Sequence, residues 1–261
     1  MIYFVEGVQG AGKSTLVGRL AEHLPDYRVC REGDYNPVEL AWCAYLTEAQ
    51  YESVLAKYDR LREEIIANTH TEGDRRIVTY TRIITDVPGF HKDLEQYEIY
   101  NNRLDRAQFE EIILRRYADW DGDNAIFECS LFQNIVENQI LFYEMTDEEI
   151  VAFFTKLKSV MNVRDFRILY LEAEDIAESL RVIRKERVDA NGVEMWFPLM
   201  VGFLEDSPHG RRCGLKGFDG LVKHLEHRMA VEKRILTEVF PQQAVILKSK
   251  NYDLDAVLGS M

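Results

Sequence analysis

Gly7-Val8-Gln9-Gly10-Ala11-Gly12-Lys13-Ser14-Thr15 follows directly on the apolar run Ile2-Tyr3-Phe4-Val5-Glu6 and satisfies the pattern G-x-x-x-x-G-K-[ST]. Each position has a chemical task. Glycines let main-chain N–H groups turn inward around phosphates, a lysine reaches the β- and γ-phosphates, and a hydroxyl ligates magnesium. Downstream, Leu16, Val17, Leu20, Ala21 and Leu24 recur at helical spacing until Pro25 stops the pattern. The stretch therefore predicts a buried strand, a glycine loop and a helix whose positive end faces an anion. Gly7, Gly10, Ala11, Gly12, Lys13, Ser14 and Thr15 are the expected nucleoside-triphosphate contacts. The bland alternative is a glycine turn that merely joins a strand to a helix.

Working outward, Tyr27 to Arg31, Ala125 to Glu128, Arg167 to Leu171 and Ala244 to Lys248 also read as buried strands, with helical patterns between them. Such alternation predicts an α/β fold, a parallel five-stranded sheet with helices on both faces, with ligands gathered at the carboxyl ends of the strands. A helical insertion at about 35–121 interrupts the pattern. Within it, Thr47 to Thr69 and Asp93 to Trp120 read as amphipathic helices, and Arg76 to Ile84 reads as β-rich. No repeat or linker-like tract marks a boundary, so a single domain over 1–261 is expected, the insertion carrying specificity.

With 45 acidic against 32 basic residues, the net charge of −13 argues against nucleic acid or an anionic membrane as main partner. Cys30, Cys43, Cys129 and Cys213 form no C-x-x-C pair, which fits reduced thiols in a cytoplasmic protein better than disulfides or zinc. No segment approaches the length and apolarity of a membrane span, and the apolar start is too short for a signal peptide.

Phe4-Val5-Glu6-Gly7-Val8-Gln9-Gly10-Ala11-Gly12-Lys13-Ser14-Thr15-Leu16 resembles the opening of thymidylate kinases and deoxynucleoside kinases, which share E-G-x-x-G-A-G-K-S-T. The likeness recurs in order. Arg31-Glu32-Gly33 resembles their R-E-P or E-P, without the proline. Glu128-Cys129-Ser130 is similar to their E-R-S or D-R-Y, with cysteine for arginine. Arg181-Val182-Ile183-Arg184-Lys185-Glu186-Arg187 resembles their arginine-bearing lid helix. The resemblance covers about 1–34 and 122–250. It implies a P-loop NTPase fold of the nucleotide-kinase kind, a lid at about 181–214, and adenine contacts at Ser249 to Tyr252.

Residue chemistry and resemblance together predict a small-molecule kinase that transfers the γ-phosphoryl group of ATP, with magnesium, to a hydroxyl or phosphate of a nucleoside, nucleotide or related acceptor. Lys13, Arg184 and Arg187 would neutralise phosphate charge. Ser14 and Glu128 would hold the metal, and Glu32, with Asp34 in reserve, would take the acceptor's proton. Arg181, Arg184 and Arg187 have a plainer alternative as a salt-bridged face with Glu178 and Glu186. Assembly as a homodimer is left open.

Two other classes compete. Asp86-Val87-Pro88-Gly89 has the D-x-x-G form of a GTPase switch, although Asn102-Arg103-Leu104-Asp105 is a poor N-K-x-D and Val87-Pro88-Gly89 is also good turn chemistry. An ATP-binding protein without an acceptor is the third class. His224 and His227, at i and i+3, are read as solvated side chains rather than metal ligands, and Trp42 and Tyr80 as stacking candidates for a flat substrate.

Overall fold

The computed structural model describes residues 1–163, 165–189 and 191–254. Its main sheet is a five-stranded parallel sheet with helices on both sides. The strands are β1 (Ile2–Gly7), β2 (Arg28–Cys30), β6 (Ala125–Glu128), β7 (Phe166–Glu172) and β8 (Ala244–Lys248), in the order β2-β6-β1-β7-β8. β1 lies at the centre, pairing Ile2 with Ala125 on one side and with Phe166 on the other. All of β1 and β6 is buried, as strands covered on both faces must be, which is why their sequences run apolar without alternation. The strand expected over Tyr27 to Arg31 is shorter, and the other three expectations match to within one residue at either end.

Between β1 and β2 runs α1 (Lys13–His23), which buries Leu16, Val17 and Leu20 on one stripe. After β6 come α6 (Gln133–Leu141) and α7 (Asp147–Val160). After β7 come α8 (Ile176–Glu186), α9 (Trp196–Asp206), α10 (Pro208–Cys213) and the long α11 (Gly217–Glu238).

The chain divides into two compact units. The first holds Met1–Val29, Gly122–Ser159 and the described residues after Val163. The second holds Cys30–Asp121 with Val160–Val163, close to the expected insertion. It contains a three-stranded antiparallel sheet, of which the sequence pattern suggested only the stretch that includes β5: β3 (Ala44–Thr47), β4 (Thr69–Glu72) and β5 (Arg75–Val78), in the order β3-β5-β4.

The helix expected over Thr47 to Thr69 is broken. α2 (Glu48–Lys57) ends at Tyr58, a 3-10 turn covers Asp59–Leu61, and α3 (Arg62–Ala67) hands Thr69 to β4. The break turns Val54, Leu55, Tyr58, Leu61 and Ile65 onto one core with Leu46, Val78 and Phe90. The second expected helix is also two pieces, α4 (Phe90–Glu95) and α5 (Arg106–Asp119). Asn101 and Asn102, both with left-handed backbone, interrupt it, and Asp105 restarts it through a capping box with Gln108. Arg76 to Ile84 is a strand only as far as Val78, after which Tyr80–Arg82 forms a 3-10 turn.

Candidate functional site

The glycine loop lies in the first unit, between the central strand and α1. Gly7 has φ +139°, and a Cβ there would come within 2.6 Å of the Leu171 carbonyl oxygen, so only glycine fits. Gly10 and Gly12 also have positive φ. Gly12, the N-cap of α1, has open space where a side chain would stand. No side chain caps α1 and no acidic residue sits in its first turn, so its orphan N–H groups and positive dipole end face outward.

Lys13 is buried rather than projecting into solvent. Its ammonium folds back onto the loop and donates to the Gly7 carbonyl at 2.8 Å and the Val8 carbonyl at 3.0 Å. The Ser14 hydroxyl donates to Glu128 Oε1 at 2.5 Å. Cys129, directly after Glu128, has φ +60° and donates its N–H to the Val5 carbonyl at 3.1 Å, so the chain kinks sharply where β6 ends. The structure thus joins Ser14 and Glu128, residues 114 apart in sequence, at the head of α1. A hydroxyl and a carboxylate are hard oxygen donors of the kind magnesium takes. Among the described residues no group of three or more His, Cys, Asp or Glu is placed to hold a metal ion.

Glu6, the residue before Gly7, is fully buried and its two oxygens accept from the N–H groups of Leu131 at 2.6 Å and Gln133 at 3.3 Å. Burial pushes its carboxyl up to about 7 despite those bonds. Sequence reasoning assigned it no role, although a glutamate inside an apolar strand is itself a signal.

α8 passes alongside the loop, since a Cβ on Gly10 would lie 3.2 Å from the Ser179 carbonyl oxygen. Its Arg181 and Arg184, and Arg187 directly after it, are all engaged. Arg181 pairs with Glu178 at 3.2 Å, as the salt-bridged alternative holds. Arg184 pairs not with Glu186 but with Glu194, through Nε at 3.1 Å and Nη2 at 2.9 Å, while stacked 4.0 Å from the Phe197 ring centre. Arg187 lies 5.3 Å from the centre of the Trp196 ring. Ser249, after β8, donates its hydroxyl to the Ala11 carbonyl at 2.8 Å, which brings that segment onto the loop.

Glu32 and Asp34 belong to the second unit. Glu32 is exposed and accepts from Trp42 Nε1 at 3.1 Å. Asp34 closes a turn, accepting from the Arg31 N–H at 2.9 Å, and pairs with Arg82. Both oxygens of Asp34 are thereby engaged. Trp42 is exposed, but Tyr80 is buried with its hydroxyl on Glu98 at 2.6 Å, so Tyr80 is core and not a stacking platform. Asp86 is exposed and Gly89 is the N-cap of α4. No strand runs into them, unlike the D-x-x-G of a switch.

The reading of His224 as solvated is corrected. It is buried, with Nε2 3.1 Å from Glu137 Oε2, because α11 turns that face into the first unit's core. His227, part-exposed, lies 2.9 Å from Asp147 Oδ1.

No family model matches the chain, and no curated protein matches it. Among the described residues no helix is long and apolar enough to cross a membrane.

Proposed function

We propose that the chain is a P-loop kinase of the cytoplasm that moves the γ-phosphoryl group of ATP to a small-molecule acceptor, a nucleoside, nucleotide or related compound. One observation carries the proposal: the glycine loop bends Lys13 over its own carbonyls while setting the Ser14–Glu128 pair at the mouth of an uncapped helix. Free N–H groups, a lysine and a hard-oxygen pair within one loop are the groups that triphosphate chemistry requires.

Magnesium, held by Ser14 and Glu128, would neutralise phosphate charge. Lys13 exchanges two carbonyl partners for phosphate oxygens when nucleotide arrives, and Arg184 and Arg187 close on the same charge. The acceptor is assigned to the second unit, with Glu32 taking the proton of its attacking hydroxyl as the terminal P–O bond of ATP breaks and ADP leaves.

The test is incubation with γ-labelled ATP, magnesium and a panel of nucleosides, nucleotides and hydroxylated natural products, scored by mass. A labelled product whose formation is lost in Glu32→Gln, with ATP affinity kept, supports the full assignment. Guanine nucleotide bound and slowly hydrolysed without transfer would replace it with the switch reading.

A further inference from the structure

Behind the loop lies a buried charged network that the transfer chemistry leaves unused. Arg228 of α11 is fully buried. Its Nη1 donates to Glu137 Oε2 of α6 at 2.6 Å, and its Nε lies 3.2 Å from Glu232 Oε1. Glu232 accepts in turn from the Tyr170 hydroxyl at 2.6 Å, and His224 stands against Glu137. The remaining arm, Nη2, reaches into the loop and donates to Gln9 Oε1 at 2.8 Å.

Stability does not explain this arrangement. Burying an arginine with two carboxylates costs desolvation that the ion pairs roughly offset, and an apolar substitute of similar volume commonly does as well or better. What the arginine does uniquely is fix an amide. A guanidinium only donates, so it must face the carbonyl oxygen of Gln9, and the amide nitrogen must face the other way. Among the described residues no hydrogen bond takes that nitrogen, and Gln9 is only half-buried. Two N–H donors of a half-buried loop residue are thereby fixed in orientation and left for a further acceptor. Their place is defined by Lys13, whose ammonium lies on the carbonyl of Val8, the residue before Gln9. On the functional reading above the lysine serves the β- and γ-phosphates, and Gln9 belongs to the same turn of the loop as the two carbonyls that hold it.

We infer that Gln9 is a second side-chain donor to the terminal phosphoryl group of the bound nucleotide, and that Arg228 is the positioning residue that holds it there. The inference rests on the nucleotide-binding proposal above. A donor aimed at the third phosphate distinguishes triphosphate from diphosphate, and a hydrogen bond to a charged group is worth about tenfold or more in that preference.

The experiment measures dissociation constants for magnesium–ATP and magnesium–ADP by calorimetry, in the wild type, Gln9→Leu, Gln9→Glu, Arg228→Lys and the Gln9→Leu/Arg228→Lys double variant. Arg228→Lys keeps a cation between Glu137 and Glu232 while losing the fork that reaches Gln9. The expected result is that the preference for ATP over ADP falls about tenfold in Gln9→Leu, further in Gln9→Glu, equally in Arg228→Lys, and no further in the double variant. A preference unchanged within twofold in both Gln9 variants overturns the inference. A fall in the Gln9 variants with none in a folded Arg228→Lys overturns the role of Arg228 alone, and Arg228→Lys that does not fold leaves the Gln9 variants to decide the donor. A wild type that binds neither nucleotide overturns the functional proposal itself, a separate failure.

Discussion

In the first unit Glu137 is buried against Arg228 and His224, whereas in the second Glu39 and Glu98 are buried against the phenols of Tyr100 and Tyr80. Burial raises the pKa of every one of these carboxyls, and the partner decides the net direction. For Glu137 the neighbouring positive charges win and hold the carboxyl down to about 2. For Glu39 and Glu98, burial outweighs the phenol bonds, and the carboxyls rise to about 8 and about 7. Glu137 is held by charge, whereas Glu39 and Glu98 are held by hydrogen bonds from phenols. The first reaches the glycine loop through the Arg228–Gln9 hydrogen bond, and the second closes within its own unit.

The sharpest way to break that contrast is to remove one partner from each side. Arg228→Ala leaves Glu137 and Glu232 as uncompensated buried charges and should cost about 3–5 kcal/mol in denaturant unfolding. Tyr100→Phe leaves Glu39 with its Ala41 N–H bond at 2.5 Å and a carboxyl that can stay neutral, and should cost about 1–2 kcal/mol. Equal losses in the two variants would show that the interiors are not held differently.

The next largest effect concerns the loop. Saturating magnesium–ATP at a hundredfold its dissociation constant should stabilise the wild type by about 2.7 kcal/mol and Lys13→Ala far less. Melting curves with and without nucleotide read this directly, and equal shifts would remove Lys13 from the site.

The pH dependence sharpens the comparison further. A carboxyl whose folded pKa is raised favours the folded state below its unfolded value near 4.5, and that advantage is lost as pH climbs to the folded value. Glu39 and Glu98, with Glu6 in the first unit, therefore weaken the fold between about pH 4.5 and 8, each by about 1 kcal/mol per pH unit over its own range. Glu137 acts with the opposite sign, its contribution present above pH 4.5 and lost as pH falls toward 2. Glu39→Gln should flatten the loss of stability between pH 5 and 8, measured as the urea midpoint; an unchanged slope would mean that Glu39 is ionised throughout.

The smallest effect is at the surface. Trp42→Phe removes one exposed hydrogen bond to Glu32 and should change stability by no more than about 0.5 kcal/mol. A larger change in acceptor turnover than in stability would mark Trp42 as a substrate contact.

The main sheet was legible because β1, β6 and β7 are buried on both faces and so carry unbroken apolar runs. Of the small sheet only the region of β5 was, because Thr69-His70-Thr71-Glu72 of β4 is polar on both sides and only four residues long. The broken helices left clearer marks. Asn101-Asn102 and the Asp105–Gln108 box are stop and start signals, and the apolar period ran through them only because both helices serve one unit. The closeness of Ser14 and Glu128, though not a metal between them, could be anticipated because each ends or follows a recognisable element. The Gln9–Arg228 bond had no local sign, since its partners stand 219 residues apart.

The position of β1 at the middle of the main sheet sets an order of events on the ribosome. Ile2 waits about 120 residues for its partner Ala125 and longer still for Phe166, so at ~5–20 residues per second the first strand emerges some ~6–25 s before either neighbour exists. During that interval nearly all of Cys30–Asp121 has been made and needs only Val160–Val163 to be complete. The unit that begins second in the chain is thus the first able to fold, while the segment bearing the phosphate loop stays an unpaired apolar strand with a nascent helix. Slow translation after Asp121 would lengthen that exposure, and chaperone demand during synthesis should follow the first thirty residues rather than the middle of the chain.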